Sequence, residues 1–217
     1  MIKSKRKILA MVALFSAVTL VSCGPSETPI VPDNKASTYT MEAEYIDLDN
    51  VKGAGLSSEQ SGVSMIYGDG TEAQKNLGWS SGYYVGYTYN PLTALEFAFE
   101  SDIETTTTIV LRLGSELGNI TIDPNSLGVV MNETTINYQG QYIENSKMES
   151  MVFSDKTISS KVTIKKGKNS LFLKIRENTL RNGNATGGPT IDCIKLITAG
   201  KLTWTEKKDN PSRRGEI

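Results

Sequence analysis

Through the second half of the chain, apolar and polar positions alternate with a period of two. Leu95, Phe97 and Phe99 alternate with Glu96, Ala98 and Glu100, and Ile109, Leu111 and Leu113 with Val110 and Arg112. This is the signature of strands with one buried face. Val162 and Ile164, then Leu171, Leu173 and Ile175, keep the period on either side of Lys166-Gly167-Lys168-Asn169, which reads as a hairpin turn. No stretch after residue 23 sustains a helical period. The pattern predicts roughly eight to ten short strands between Tyr39 and Thr198, folded as one all-β, two-layer antiparallel sandwich with a proper core.

The start of the chain is patterned differently. Lys3, Lys5, Arg6 and Lys7 precede an uncharged apolar run from Ile8 to Val21. The run is too short for an ordinary transmembrane helix and has the layout of a secretory signal peptide, expected over residues 1–22. The closing Leu20-Val21-Ser22-Cys23 resembles a bacterial lipobox, which implies that Cys23 is acylated and begins the mature protein. Stable anchoring needs more than one acyl chain on that cysteine. Residues 23–38, with three prolines and no aromatic, read as a tether. Residues 199–217 read as a C-terminal tail. The expected location is the cell envelope, at an outer membrane or cell surface.

Charge and composition then narrow the chemistry. The leader carries four of the 23 basic residues and none of the 24 acidic ones, leaving 19 against 24. An acidic body lacks the cationic footprint of a nucleic-acid binder. The chain has no histidine, which removes the Ser-His-Asp triad and His-based zinc sites. With Cys23 lipidated, Cys193 has no disulfide partner, and its apolar surroundings (Ile191 to Ile197) suit a small buried hydrophobe.

Six fragments, in order from Tyr39 to Thr198, resemble the carbohydrate-binding modules of families 6 and 35, which have a galactose-binding-like jelly-roll fold. They are Met41-Glu42-Ala43-Glu44, Ser81 to Gly86, the pair Leu95–Phe99 and Ile109–Leu113 read as neighbouring central strands, Val129 to Asn132, Lys166 to Asn169, and Gly188 to Ile194. The resemblance implies non-catalytic binding of a polysaccharide or glycan. Two departures stand out: Thr190 replaces an asparagine common in these families, and Asn137 to Ser150 is an insertion.

Glu42 and Glu44 are two apart on an expected strand, so both carboxylates leave one face. Such a pair is an ordinary edge charge or a hard-cation site, and an all-oxygen donor set suits calcium. The resemblance implies a structural calcium at Glu42 and Glu44 and adds Asp192, with backbone carbonyls from the Ser57 to Ser64 loop. It also implies a sugar site built on Trp79, Tyr84, Asn182 and Asn184, with Tyr138 and Tyr142 at the rim. Read as a residue alone, Trp79 is more often core or loop packing than a ligand platform, and the asparagines serve as turn formers. The same fold could instead make protein contacts through the 137–150 insert and the tail of a surface adhesive protein. A carboxylate-based hydrolase or lyase is the weakest alternative, since it needs two carboxyl groups facing across a cleft.

Overall fold

The computed structural model describes residues 35–48, 65–86, 88, 93–116, 118–146, 150–176, 180–181, 184–185 and 188–208. The signal peptide, Cys23, the tether up to residue 34, the 57–64 loop, Asn182 and the tail beyond residue 208 lie outside the described residues.

The chain runs through β1 (Ser37–Glu42), a 3-10 turn (Ala43–Tyr45), β2 (Met65–Gly68), a short helix α1 (Glu72–Asn76), β3 (Tyr83–Gly86), β4 (Ala94–Ser101) and β5 (Thr105–Gly114). It continues through β6 (Ile120–Ile122), β7 (Leu127–Met131), β8 (Thr134–Ile136), β9 (Gln141–Ile143), β10 (Ser154–Ile164) and β11 (Gly167–Ile175). The last strands are β12 (Leu180–Arg181), β13 (Asn184–Ala185), β14 (Thr190–Thr198) and β15 (Leu202–Trp204). The five residues of α1 are the α-helix among the described residues, capped by the Thr71 hydroxyl.

Two antiparallel sheets form the sandwich. One has the order β10-β5-β14-β3-β2, with β1 also on β14; the other has the order β15-β4-β11-β7-β8. Their facing side chains make one core. Leu111, Leu113, Ile194 and Leu196 come from the first sheet, and Leu95, Phe97, Phe99, Leu171 and Leu173 from the second. The burial of β4 alternates strictly, matching its sequence pattern.

Two expected pairings are corrected. β4 and β5 are not neighbours but lie in opposite sheets, so alternation predicted the strands and their inward faces but not their partners. Likewise, the turn at Lys165 to Gly167 is not a hairpin, because it carries the chain from β10 in one sheet to β11 in the other. Gly167 there has φ +86°, a conformation that L-residues resist. Buried Asn169 holds this corner: its amide donates to the carbonyls of Lys165 and Gly167, and its carbonyl accepts from the Lys165 N–H and the Asn132 amide. A true two-residue hairpin joins β7 to β8 at Asn132 and Glu133, both at positive φ.

Candidate functional site

β14 is the strand on which the candidate chemistry is assembled. One edge pairs with β5. The other is shared: β1 covers Cys193 to Thr198, and β3 reaches it at Ile191 opposite Val85. Asp192 lies at the seam between those two neighbours, where the pairing with β5 also slips between Ile191 and Cys193. β1 ends at the same seam, with Glu42 opposite Cys193.

Glu44 is corrected in one respect. The strand stops at Glu42, and Glu44 sits in the 3-10 turn, so the two acids do not share a strand face. Glu42 nonetheless lies close enough to raise the proton affinity of Glu44. Glu42 accepts from the Ser80 hydroxyl and Glu44 from the Ser81 hydroxyl. Burial pushes Glu42 up to about 7 and Glu44, which is fully buried, up to about 8. The second carboxylate oxygen of Glu44 is buried without a hydrogen-bond partner.

Asp192 is engaged differently. Burial raises it to about 6 against the opposing pull of the Ser80 N–H and Arg112. The Ser80 N–H donates to it at 3.0 Å, and the Arg112 guanidinium pairs with it at 2.9 Å. Arg112 also donates to the Gly78 carbonyl at 2.7 Å and contacts Asp155 at 3.2 Å, while Lys195 reaches Asp155 at 2.7 Å. Among the described residues, no three acidic, histidine or cysteine side chains converge as a metal cluster. The fit to calcium is thus partial: Glu42 and Glu44 supply hard oxygens, one of them orphaned, while Asp192 is held by an arginine.

Cys193 is buried and unpaired, and burial pushes its thiol up to about 12.

The expected sugar platform is corrected. Trp79 is only 2% exposed and Tyr84 is fully buried. β3 has apolar side chains on both faces, so while Val85 enters the main core, Tyr84 points to the outside of its sheet. There Trp79, Tyr67, Met151 and Phe153 cluster with it. Trp79 packs edge-on to Tyr84 at 5.0 Å and to Phe153 at 6.4 Å, and Tyr67 stacks on Tyr84 at 5.2 Å. The Trp79 indole N–H donates to the Met151 carbonyl at 2.9 Å. The segment that carries Trp79 is clamped where Gly70 N–H donates to the Gly82 carbonyl; a Cβ on Gly82 would lie 2.6 Å from the Gly70 backbone. Neither ring offers a face to a ligand.

Tyr138 is also corrected. It is half-buried against the core, and its hydroxyl donates to the Leu127 carbonyl. Thr190 is buried beside the Met151 sulfur. Asn184 lies in the β12–β13 pair, opposite Arg181, with its side chain outside the description. Tyr142 alone of the expected aromatics is exposed, at 56%. It stands on β9, which pairs with β6 beside the sandwich. Around it a cleft of about 480 Å³ opens, lined by Tyr142, Glu144, Asn145, Val152, Ser154 and Lys156 among others.

Sequence reasoning missed Arg112, Val152 and Lys156. Arg112 carried a signal, being the one charged residue of β5, on its outward face. Val152 and Lys156 carried none.

No family model matches this sequence, and no curated protein matches it either. Among solved structures, the chain is similar to a family 35 carbohydrate-binding module from Cellvibrio japonicus, with 16% identity, 77% of this chain and 97% of that one covered, and a TM-score of 0.49. A family 35 module from Paenibacillus barcinonensis is similar at 18% identity, over 74% of this chain and 97% of that one, with a TM-score of 0.44. A β-(1,4)-mannanase from Podospora anserina that carries such a module matches at 15% identity and a TM-score of 0.47, over 74% of this chain; the chain spans 27% of that enzyme's length.

Proposed function

We propose that this protein is a cell-envelope lipoprotein, anchored through Cys23, whose β-sandwich binds glycan without catalysing a reaction on it. The observation that carries the reading is the seating of its first and last motifs. The two fragments, far apart in sequence, meet where β1 ends against β14: Glu42 lies opposite Cys193, within the Thr190 to Ile194 fragment, and Ala43 and Glu44 follow in the adjoining turn, the first-strand-to-last-strand arrangement that the motif resemblance implies. Glu42 and Glu44 would hold a structural calcium at this seam, with Asp192 beside them in the grip of Arg112. A bound cation would offset the burial of the Glu42 and Glu44 carboxylates and give the unpartnered Glu44 oxygen a partner.

The test is a glycan-array screen of the full-length lipidated protein in detergent, run with calcium and again with chelator. Specific retention supports the reading. Retention that weakens in chelator together with a lower melting temperature supports the calcium. A blank array from folded protein overturns glycan binding and favours a protein-contact role for the surface of the insert, where Tyr142 is exposed. Cys23→Ser should abolish lipid incorporation and release the protein from the membrane fraction; retention of this variant in the membrane would overturn the anchor.

A further inference from the structure

Three large apolar side chains stand exposed among the described residues: Leu77, Tyr142 and Val152. Two of them, Tyr142 and Val152 (65% exposed), line the same cleft. The rest of its lining is polar, with a carboxylate (Glu144), an amide (Asn145), hydroxyls (Ser146 and Ser154) and an ammonium (Lys156). Its volume of about 480 Å³ lies within the ~300–1,000 Å³ range of small-ligand sites.

Local structure fixes the cleft in place. Strand alternation buries Ile143 in the main core and turns Tyr142 outward, while β9 is tied to β6 through Tyr142 opposite Thr121. Asn145 N–H donates to the Asn119 side chain at 2.8 Å, and Ser146 N–H to the Ser115 carbonyl at 2.7 Å. Across the cleft, Val152 N–H donates to the Ser146 hydroxyl at 3.1 Å. The neighbouring Met151 is buried, with its carbonyl held by the Trp79 indole. A ligand entering here finds walls that are already ordered, which lowers the cost of binding.

We propose that this cleft, formed between the insert and the start of β10, is where the protein binds a pyranose residue of its glycan. The inference rests on the glycan-binding reading and deepens it by placing the site at Tyr142 rather than at Trp79. A pyranose has one apolar C–H face and a rim of hydroxyls. The Tyr142 ring and Val152 match the face, and Glu144, Asn145 and Lys156 match the rim with acceptors and donors. An apolar peptide would cover the ring but leave the surrounding polar groups without partners, a costly exchange. Glu144 and Lys156 both line the cleft, one as a carboxylate acceptor and one as an ammonium donor.

The test uses full-length protein in detergent, run in native gels cast with galactomannan, xylan or polygalacturonate, beside the array. Wild type should be retarded in at least one gel. Tyr142→Ala should weaken that retardation at least about tenfold, whereas Tyr142→Phe, which keeps the ring, should stay within about twofold of wild type. Val152→Asp should weaken it independently. Melting temperatures of all three should match wild type, since both side chains are exposed. Wild-type binding that survives Tyr142→Ala and Val152→Asp overturns the cleft while leaving glycan binding standing. A wild type that binds neither the gels nor the array overturns both.

Discussion

Trp79, in the segment after α1, and Tyr142, on the short strand β9, are both aromatic candidates to meet a sugar, yet the fold treats them in opposite ways. Trp79 follows α1 in a segment that folds back over an apolar patch of Tyr67, Tyr84, Met151 and Phe153, so its ring completes a second, smaller core. Tyr142 belongs to a strand whose inward position is taken by Ile143, and nothing among the described residues covers its outward one. The difference lies in what packs over each ring. Residue type ranks tryptophan first as a ligand platform, but a large ring beside a patch of other rings is drawn into the interior by the area it can bury.

The contrast makes unequal demands on mutation. Trp79→Ala should be the most damaging, removing about 3–5 kcal/mol and lowering the melting temperature by roughly 6–20 °C. A loss below about 1 kcal/mol in a denaturant titration would mean the cover is loose and Trp79 is available to a ligand after all. Arg112→Leu should cost about 3 kcal/mol, since it leaves the buried Asp192 carboxylate unpaired under the same cover. Trp79→Phe, which keeps most of the ring but frees the Met151 carbonyl, should cost about 1–3 kcal/mol by the same titration.

A smaller effect is expected from pH. Glu42 and Glu44 rise from an ordinary value of 4.5 to about 7 and about 8, so between those values the folded protein binds more protons than the unfolded chain. Stability without calcium should therefore be fullest below about pH 4.5 from these two groups, and fall as the pH rises toward about 8. Added calcium, which binds the deprotonated carboxylates, should raise the melting temperature more at pH 8 than at pH 5. A calcium effect equal at both pH values, or none, would remove these two glutamates from consideration as ligands. The smallest effect on stability belongs to Tyr142→Ala, within about 0.5 kcal/mol of wild type. A larger loss would show that its ring is packing and would erase the contrast with Trp79.

Much of the sandwich was legible in the sequence because period-two alternation reports which residues face inward. It is silent on which strand lies beside which, so β4 and β5 looked like neighbours, and the corner at Gly167 looked like a hairpin. The acid pair at Glu42 and Glu44 was legible as a pair. Its true geometry was not, since the end of β1 is set by the seam where β3 displaces it along β14. The engagement of Asp192 by Arg112 could be suspected only from an arginine on an apolar strand. The cleft at Tyr142 was the least visible. Its opposite wall comes from Val152, Ser154 and Lys156, brought there by β10 pairing with β5, a contact between segments some forty residues apart.

The register of β1 on β14 also bears on how the protein would carry a pull. Ser37 lies opposite Thr198, whereas the cleft adjoins the other end of the sheet, where Thr190 pairs with Gly114, roughly 25 Å away along the strand. With the proposed anchor on the N-terminal side of Ser37 and the proposed ligand at the cleft, tension between the two would load β1 along its own axis. The ladder bonds of an antiparallel pair lie across that axis. All six register pairs of β1 with β14 would share such a load instead of parting one after another.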